Sequence, residues 1–263
     1  MSCMHQRDGI LLGQSQITGD ALVINQCDQD TYREYKTEHG TGRVFFTRQR
    51  GLTKSRNMAI QNAKADVCLL CDDDEVFVPN YEGKILSAYE SLPQADVIIF
   101  KMTNRSAPFP DRVMALRFPK TMKVASWQIS FRRERLLNSG VRFDELLGAG
   151  TGNGAEEELK FLLDCEKAGL KIYYVPTEIA SVGQTQSTWF SGFTEAFFEN
   201  RGATTRYILG PAVAALYAVY YVVRKQHQYR GQITPGKALR ATFWGIREDK
   251  ITKQSRKQED VQV

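Results

Sequence analysis

The sequence predicts an α/β fold: a mixed, mostly parallel sheet flanked by helices, followed by a helical, basic C-terminal extension. Three observations carry that expectation. Over roughly the first 180 residues, short apolar runs closed by polar residues alternate with stretches of helical periodicity. One of those runs ends directly in an acidic cluster. After Gly183 the alternation stops, and an aromatic, a charge-free and a basic stretch follow in turn.

The elements can be justified in order. Ala21 to Asn25 is a short apolar run that reads as a buried strand, and Val44 to Thr47 is another. Thr53 to Lys64 reads as a helix, with Ser55 as a candidate N-cap and Met58, Ala59 and Ala63 as its apolar stripe. Asp66 to Cys71 is a third strand that runs into Asp72-Asp73-Asp74-Glu75. Tyr81 to Ser91 is helical and Ala95 to Phe100 is a strand. Strands alternating with helices imply a largely parallel sheet covered on both faces. Residues 101–123 are irregular and hold three of the eight prolines. Lys123 to Arg132 reads as a strand and Glu134 to Asn138 as a short helix. Gly148 to Gly154, with four glycines in seven residues, is a flexible loop. Glu156 to Ala168 is a helix, followed by a strand from Lys171 that Pro176 is expected to stop.

The remaining chain divides the molecule. Trp189, Phe190, Phe193, Phe197 and Phe198 form the aromatic stretch, and Tyr207 to Val223 is seventeen residues without a charge. At about 1.5 Å per residue that run is marginal for a bilayer core of about 30 Å, and Gly210-Pro211 shortens the regular helix further. From Arg224 to Val263 there are ten Lys/Arg against four Asp/Glu, a net +6, so the overall +5 belongs to this tail and the rest is near −1. The expected division is a catalytic domain over 1–200 and a helical, basic extension over 201–263. The tail suits an anionic membrane surface, and no nucleic-acid partner is expected. A buried helix with a solvated basic tail is the competing reading.

Cysteine usage points to a reducing compartment. There are five, without framework spacing. Cys68 and Cys71 form a C-x-x-C, but on a strand, positions three apart point to opposite faces, so neither a shared metal nor a disulfide is expected. The N-terminus, Met1-Ser-Cys-Met-His-Gln-Arg-Asp8, has no apolar signal core, and a cytoplasmic location, peripheral at the inner face of a membrane, is expected.

Three groups of residues carry chemistry. Asp72, Asp73 and Asp74 sit at the carboxyl end of a strand, where open α/β sheets bind ligands. Adjacent carboxylates repel, and hard divalent ions such as Mg²⁺ and Mn²⁺ favour oxygen ligands and bridge protein to phosphate. Taken alone, the triplet fits a solvated acidic turn equally well. Glu156-Glu157-Glu158 opens a helix after the glycine loop. Acidic residues there complement the helix macrodipole, and one of them can also serve as a general base. Arg56-Asn57 lies one helix upstream of the aspartates, and arginine can grip phosphate with a forked pair of hydrogen bonds.

Together these features resemble glycosyltransferase family 2. Gly51-Leu-Thr-Lys-Ser-Arg-Asn-Met-Ala-Ile60 followed by Ala65-Asp-Val-Cys-Leu-Leu-Cys-Asp-Asp-Asp74 is similar to that family's G-x-x-x-x-R-N-x-A and D-x-D block. Val141-Arg-Phe-Asp-Glu145 is similar to its G-x-F-D-E element. Glu157-Glu158-x-x-Phe161, with Gly169 and Tyr173-Tyr-Val-Pro176, has the spacing of its E-D-x-x-L block. The likeness runs over about residues 20–180. It implies a GT-A, Rossmann-like fold and a metal-dependent, inverting transfer of sugar from a nucleotide-diphosphate sugar to a saccharide or lipid-linked acceptor. It further implies that Asp72 and Asp74 contact the metal, with Asp72 and Asp73 toward the nucleotide sugar. Asp28 is implied near the base or ribose, and Arg56 and Asn57 near the diphosphate. Glu158, with Glu157 beside it, is implied as the base, and Trp127 and Gln128 as neighbours of the acceptor. Met1 to Gln6 resembles only the end of the family's apolar first strand, which implies a strand starting upstream. Gln184 to Trp189 does not match the Q-x-x-R-W motif of some members and receives no role.

Rival readings are weaker. Asp72-Asp-Asp-Glu-Val76 also fits D-x-D-x-V of haloacid-dehalogenase-like phosphatases, but those place it on the first strand of the core. Gly150-x-Gly152-x-x-Ala155 mimics a dinucleotide fingerprint without following the first strand of a βαβ unit. A non-catalytic nucleotide-sugar-binding protein or membrane scaffold would keep the aspartates and need no base.

Overall fold

The computed structural model describes residues 1–6, 9–107, 109–154, 156–183 and 192–255. Trp189, Phe190 and the Gln184–Trp189 stretch lie outside the described residues, as does Ala155. The described residues form two compact units, one within 1–143 and 158–183 and the other within 144–157 and 192–255. A boundary at residue 200 falls inside a helix, Glu195–Leu209.

The first unit holds two sheets. In one, β1 (Ser2–Met4), β2 (Ala21–Gln26), β4 (Thr41–Thr47) and β3 (Thr31–Lys36) lie in the order β1-β2-β4-β3. Helix α1 (Ile10–Gln14) joins β1 to β2, and α2 (Leu52–Asn62) packs on β1 and β2. In the other sheet the order is β5-β9-β7-β10-β6, from β5 (Val67–Leu69), β6 (Glu75–Phe77), β7 (Val97–Met102), β9 (Ile129–Arg132) and β10 (Ile172–Val182). A short β8 (Met114–Leu116) pairs with β10. Helices α3 (Tyr81–Ser91), α4 (Arg133–Asn138) and α5 (Glu157–Lys167) complete the αβ pattern.

The mixed α/β architecture is as predicted, but the sheets lean antiparallel. Parallel pairing is confined to β1–β2–β4 and β7–β10. The other five pairs are antiparallel, because β9 runs back between β5 and β7 while β3, β6 and β8 fold onto their neighbours. Hydropathy reports burial and not the route of a connection, so strand polarity was not legible.

β7 explains why apolar runs read as buried strands. Val97 and Ile99 enter one core with Phe131, Phe143 and Phe161. Ile98, Phe100 and Met102 enter a second with Phe77, Tyr81 and Ile179. A strand covered on both faces needs a continuous apolar run. Cys68 and Cys71 follow the same alternation, one facing each core, and all five cysteines are free thiols.

Three local expectations are corrected. Ser55 is not the N-cap of α2: Gly51 is, with φ 120°, and its N–H donates to Gln26 Oε1 at 2.7 Å. The buried side of α2 is mostly polar, comprising Thr53, Ser55, Arg56, Asn57 and Ile60, while Met58, Ala59 and Ala63 stay half-buried. Pro176 does not stop β10. The β7 register shifts between Tyr174 and Glu178, so the ladder needs no N–H at the proline.

The second unit is helical: α6 (Glu195–Leu209), α7 (Pro211–Arg224), α8 (Gln226–Tyr229) and α9 (Pro235–Glu248). Gly210, with φ 79°, ends α6 and Pro211 opens α7, the break anticipated from sequence. Phe193, Phe197, Phe198, Tyr221 and Tyr229 form its aromatic core. The 144–157 segment is tied to these helices by Tyr207 Oη donating to Asp144 Oδ2 at 2.6 Å and by Arg201 pairing with Glu156 at 2.7 Å. Among the described residues no helix is long and apolar enough to cross a membrane.

Helices α6 and α9 approach at two glycines. A Cβ on Gly202 would lie 2.0 Å from the Thr242 carbonyl oxygen, and one on Gly245 1.9 Å from that of Glu199. Backbone cannot yield as a side chain tip does. Gly202→Ala and Gly245→Ala should therefore each destabilise this unit by about 1–3 kcal/mol, read as a lower urea midpoint. An unchanged midpoint would show that the crossing is looser than described.

Candidate active site

The acidic cluster lies where β5 ends. Leu70 N–H still bonds to the Ile129 carbonyl at 2.9 Å, and the chain then turns through Asp72, Asp73 and Asp74 into β6. Glu75, the first residue of β6, is buried, and its Oε1 accepts the Asp72 N–H at 2.8 Å. Burial, with the charges of Asp72 and Asp74, pushes the Glu75 carboxyl well above its ordinary range. Burial likewise raises Asp73, and the adjacent Asp72 and Asp74 add to the effect. The cluster thus stores carboxylate repulsion at the sheet's carboxyl edge, which favours a cation.

Helix α2 delivers the countercharge. Arg56 is 4% exposed, and a buried guanidinium is costly unless paired. Its Nη2 reaches Asp72 Oδ1 at 3.2 Å and its Nη1 reaches Glu158 Oε1 at 3.2 Å, across 102 positions of sequence. The guanidinium also lies 5.3 Å over the Phe143 ring, a cation–π distance. Asn57, the next residue, fixes Phe143 by its backbone: Nδ2 donates to the Phe143 carbonyl at 2.9 Å, and Oδ1 accepts the Phe143 N–H at 2.8 Å. Phe143 in turn stacks on Phe161 of α5 at 4.3 Å. Phe143 is thereby held beside α2 and α5.

The three consecutive glutamates, Glu156 just before α5 and Glu157 and Glu158 opening it, have different surroundings. Glu158 faces Arg56, Glu157 is buried, and Glu156, with φ 74°, pairs with Arg201. On the far side of Asp72, Ser126 Oγ donates to Asp72 Oδ2 at 3.0 Å. Trp127 follows, half-buried against the second core. The Gln128 amide is engaged by backbone, donating to Phe100 O at 2.9 Å and accepting from Ala125 N at 3.1 Å. Asp28 is exposed and pairs with Arg50 at 2.6 Å, at the end of β2.

The structure thus brings Arg56, Asp72 and Glu158 together and gives Asn57 and Gln128 internal hydrogen bonds. Sequence reasoning missed Ser126 and Glu75. Glu75 carried a signal, as the fourth acid of a run leading into an apolar pair. Ser126 carried none, because its partner is 54 positions away.

The fit to a divalent ion rests on the donor chemistry. Asp72 and Asp74 offer hard oxygen donors, but both Asp72 oxygens already bond to Arg56 and Ser126. Among the described residues no three His, Cys, Asp or Glu side chains form a cage for an ion. That arrangement fits Mg²⁺ or Mn²⁺ held by one or two carboxylates together with substrate phosphate and water, the usual habit of these ions.

Replacing Arg56 tests the core of this arrangement. Arg56→Met leaves the partly buried carboxylates of Asp72 and Glu158 without this countercharge. The expected loss is about 2 kcal/mol in urea unfolding, below the roughly 3–5 kcal/mol for breaking a wholly buried pair, since Asp72 and Glu158 retain some solvent. A neutral result would show that neither carboxylate depends on it.

Residues 20–145 match the family described as Glycosyl transferase family 2. No curated protein matches the chain. Among solved structures, S. aureus TarS 1–349 in complex with UDP-GlcNAc is similar at TM-score 0.50 and 16% identity, over 83% of this chain and 60% of that one. S. aureus TarS is similar at TM-score 0.53 and 15% identity, over 87% of this chain and 43% of that one. A mannosyltransferase from Pyrobaculum calidifontis, solved with GDP-Man and Mn²⁺, aligns at TM-score 0.48 and 10% identity, over 94% and 85%. The chain therefore spans about 60% of the TarS 1–349 fragment. At such identities the TarS likeness speaks for fold alone. Residues 20–145 match the model of glycosyl transferase family 2, and the chain has a mixed α/β fold similar to that of GT-A glycosyltransferases.

Proposed function

We propose that this chain transfers a sugar, with inversion, from a nucleotide-diphosphate sugar to an acceptor hydroxyl, and that it needs Mg²⁺ or Mn²⁺. The observation that most supports this reading is the shared guanidinium of Arg56, which holds a strand-end aspartate and a helix-start glutamate in one place. Departure of a nucleotide diphosphate demands charge neutralisation, and attack by a hydroxyl demands a base. The two carboxylates joined by Arg56 are suited to these two tasks.

In this reading Asp74, with Asp72, holds the metal, whose contribution when bound is to neutralise charge on the diphosphate. Asp73 and Asp28 face the nucleotide sugar. Arg56 orients Asp72 and Glu158, and Asn57 keeps Phe143 under that guanidinium. Glu158 takes the proton from the acceptor hydroxyl as the oxygen attacks the anomeric carbon. In-line attack, on the face opposite the leaving diphosphate, inverts that carbon. Trp127 lies toward the acceptor, and Gln128 supports it through its bonds to Ala125 and Phe100. The acceptor class is a cell-surface glycan or lipid-linked saccharide, with the protein working in the cytoplasm, peripheral at the inner face of the membrane.

Two experiments test this. Glu158→Gln should lower transfer by about 10²–10⁴-fold while calorimetry still shows donor binding, whereas Glu156→Gln, whose partner is Arg201, should matter far less. The reverse ranking removes Glu158 as the base. Mn²⁺ binding, followed by electron paramagnetic resonance, should require a nucleoside diphosphate and be lost in Asp74→Asn. Transfer that survives EDTA would overturn the metal assignment.

A further inference from the structure

Helix α7 has two apolar faces, and only one is used inside the protein. Ala214, Ala218, Tyr221 and Val222 are buried, the alanines against Ile246 of α9 and the other two in the aromatic core. Val213, Leu216, Val219, Tyr220 and Val223 are exposed, Leu216 at 74% and Val223 at 69%. At 3.6 residues per turn these five span about 120° of one helix face, opposite the buried one. No charged residue occurs between Arg206 and Arg224, in a chain that is 25% charged. A helix apolar all round is normally covered, and a stripe of this kind marks an interaction surface.

The charges of the same helical unit select among occupants. Arg224 closes the helix and is exposed, and Arg230, Lys237, Arg240, Arg247, Lys250 and Lys253 follow on the exposed surface of the same helical unit. Exposed acids among the described residues of that unit are fewer: Glu145, Glu195 and Glu248, while Asp249 is half-buried and paired with Arg206. Two copies meeting on this helix would bring two basic units together, each with Arg224 at the end of the contact. A bilayer rich in anionic lipid takes the apolar stripe at its acyl boundary and the Arg and Lys side chains at its headgroups. Tyr220, apolar in body and polar at its tip, is the residue type that sits at that level. Fourteen residues at about 1.5 Å each make a helix of roughly 21 Å, suited to lying in the interface.

We propose that the exposed face of α7, centred on Leu216, Tyr220 and Val223, is an in-plane docking surface for anionic phospholipid. This rests on the reading of the chain as a peripheral membrane glycosyltransferase, and it names the residues that make the contact.

The test is sedimentation of the full chain with vesicles of phosphatidylglycerol and phosphatidylethanolamine, against vesicles of phosphatidylcholine alone. Binding should favour the anionic vesicles and weaken at about 0.5 M salt. Leu216→Glu/Val223→Glu should bind about tenfold or more weakly with an unchanged circular dichroism spectrum. Leu216→Ser/Val223→Ser serves if the glutamates unfold the helix. Equal binding by wild type and a folded double variant overturns the proposal. So does a wild-type dimer that the variant splits, which would make the stripe a contact between copies. Hydrolysis of the nucleotide sugar, measured without vesicles, should be the same in wild type and variant. Its absence from both counts against the enzymatic reading and leaves the vesicle result to be judged by itself.

Discussion

The first unit is organised by the need to neutralise one buried guanidinium. Arg56 leaves water almost completely, and a charge in that position persists only with paired oxygen acceptors close by. Asp72 and Glu158 are among its partners. Because the first follows β5 and the second opens α5, the pairing fixes how a strand end and a helix start stand to each other. Phe143 gives the same cation a π face, and Asn57 on the next position of α2 locks the backbone of Phe143 with a reciprocal pair of hydrogen bonds. A short stretch of one helix therefore determines three neighbouring pieces of chain.

That constraint explains the polar buried side of α2. A helix that only closed a core would bury its Met and Ala residues. This one instead turns Thr53, Ser55, Arg56 and Asn57 inward, and Ser55 Oγ bonds to Ser2 Oγ at 2.8 Å. Apolar packing is left to β7 and its neighbours, which supply two cores from one strand. The division of labour is physical. Side chains with hydrogen-bonding capacity hold the charged groups in a defined geometry, and close-packed apolar side chains resist movement around them.

The helical unit is built on different terms. Helices α6 and α9 cross where Gly202 and Gly245 leave no room for a Cβ, and the unit's interior is aromatic, with Arg201 lying over Phe197 and Tyr221 while pairing with Glu156. Here too a nearly buried guanidinium is neutralised by a glutamate, one that precedes α5 and has left-handed backbone. Two of the three consecutive glutamates thus serve different arginines.

Sequence by itself determined the α/β class, the positions of most helices and strands, the separate faces of Cys68 and Cys71, the break at Gly210-Pro211 and the acidic cluster at a strand end. Each depends on local properties: apolar periodicity, side-chain alternation, and the backbone limits of glycine and proline. Tertiary structure alone decided that Arg56 joins Asp72 to Glu158, that Ser126 and Glu75 complete the surroundings of Asp72, and that Asn57 and Gln128 bond to backbone. It also decided the antiparallel course of β9 and the passage of β10 through Pro176. These depend on which distant oxygen meets which donor once the chain has closed. Hydrophobic periodicity carries no record of such pairings, because it reports whether a side chain is buried and not what it is buried against.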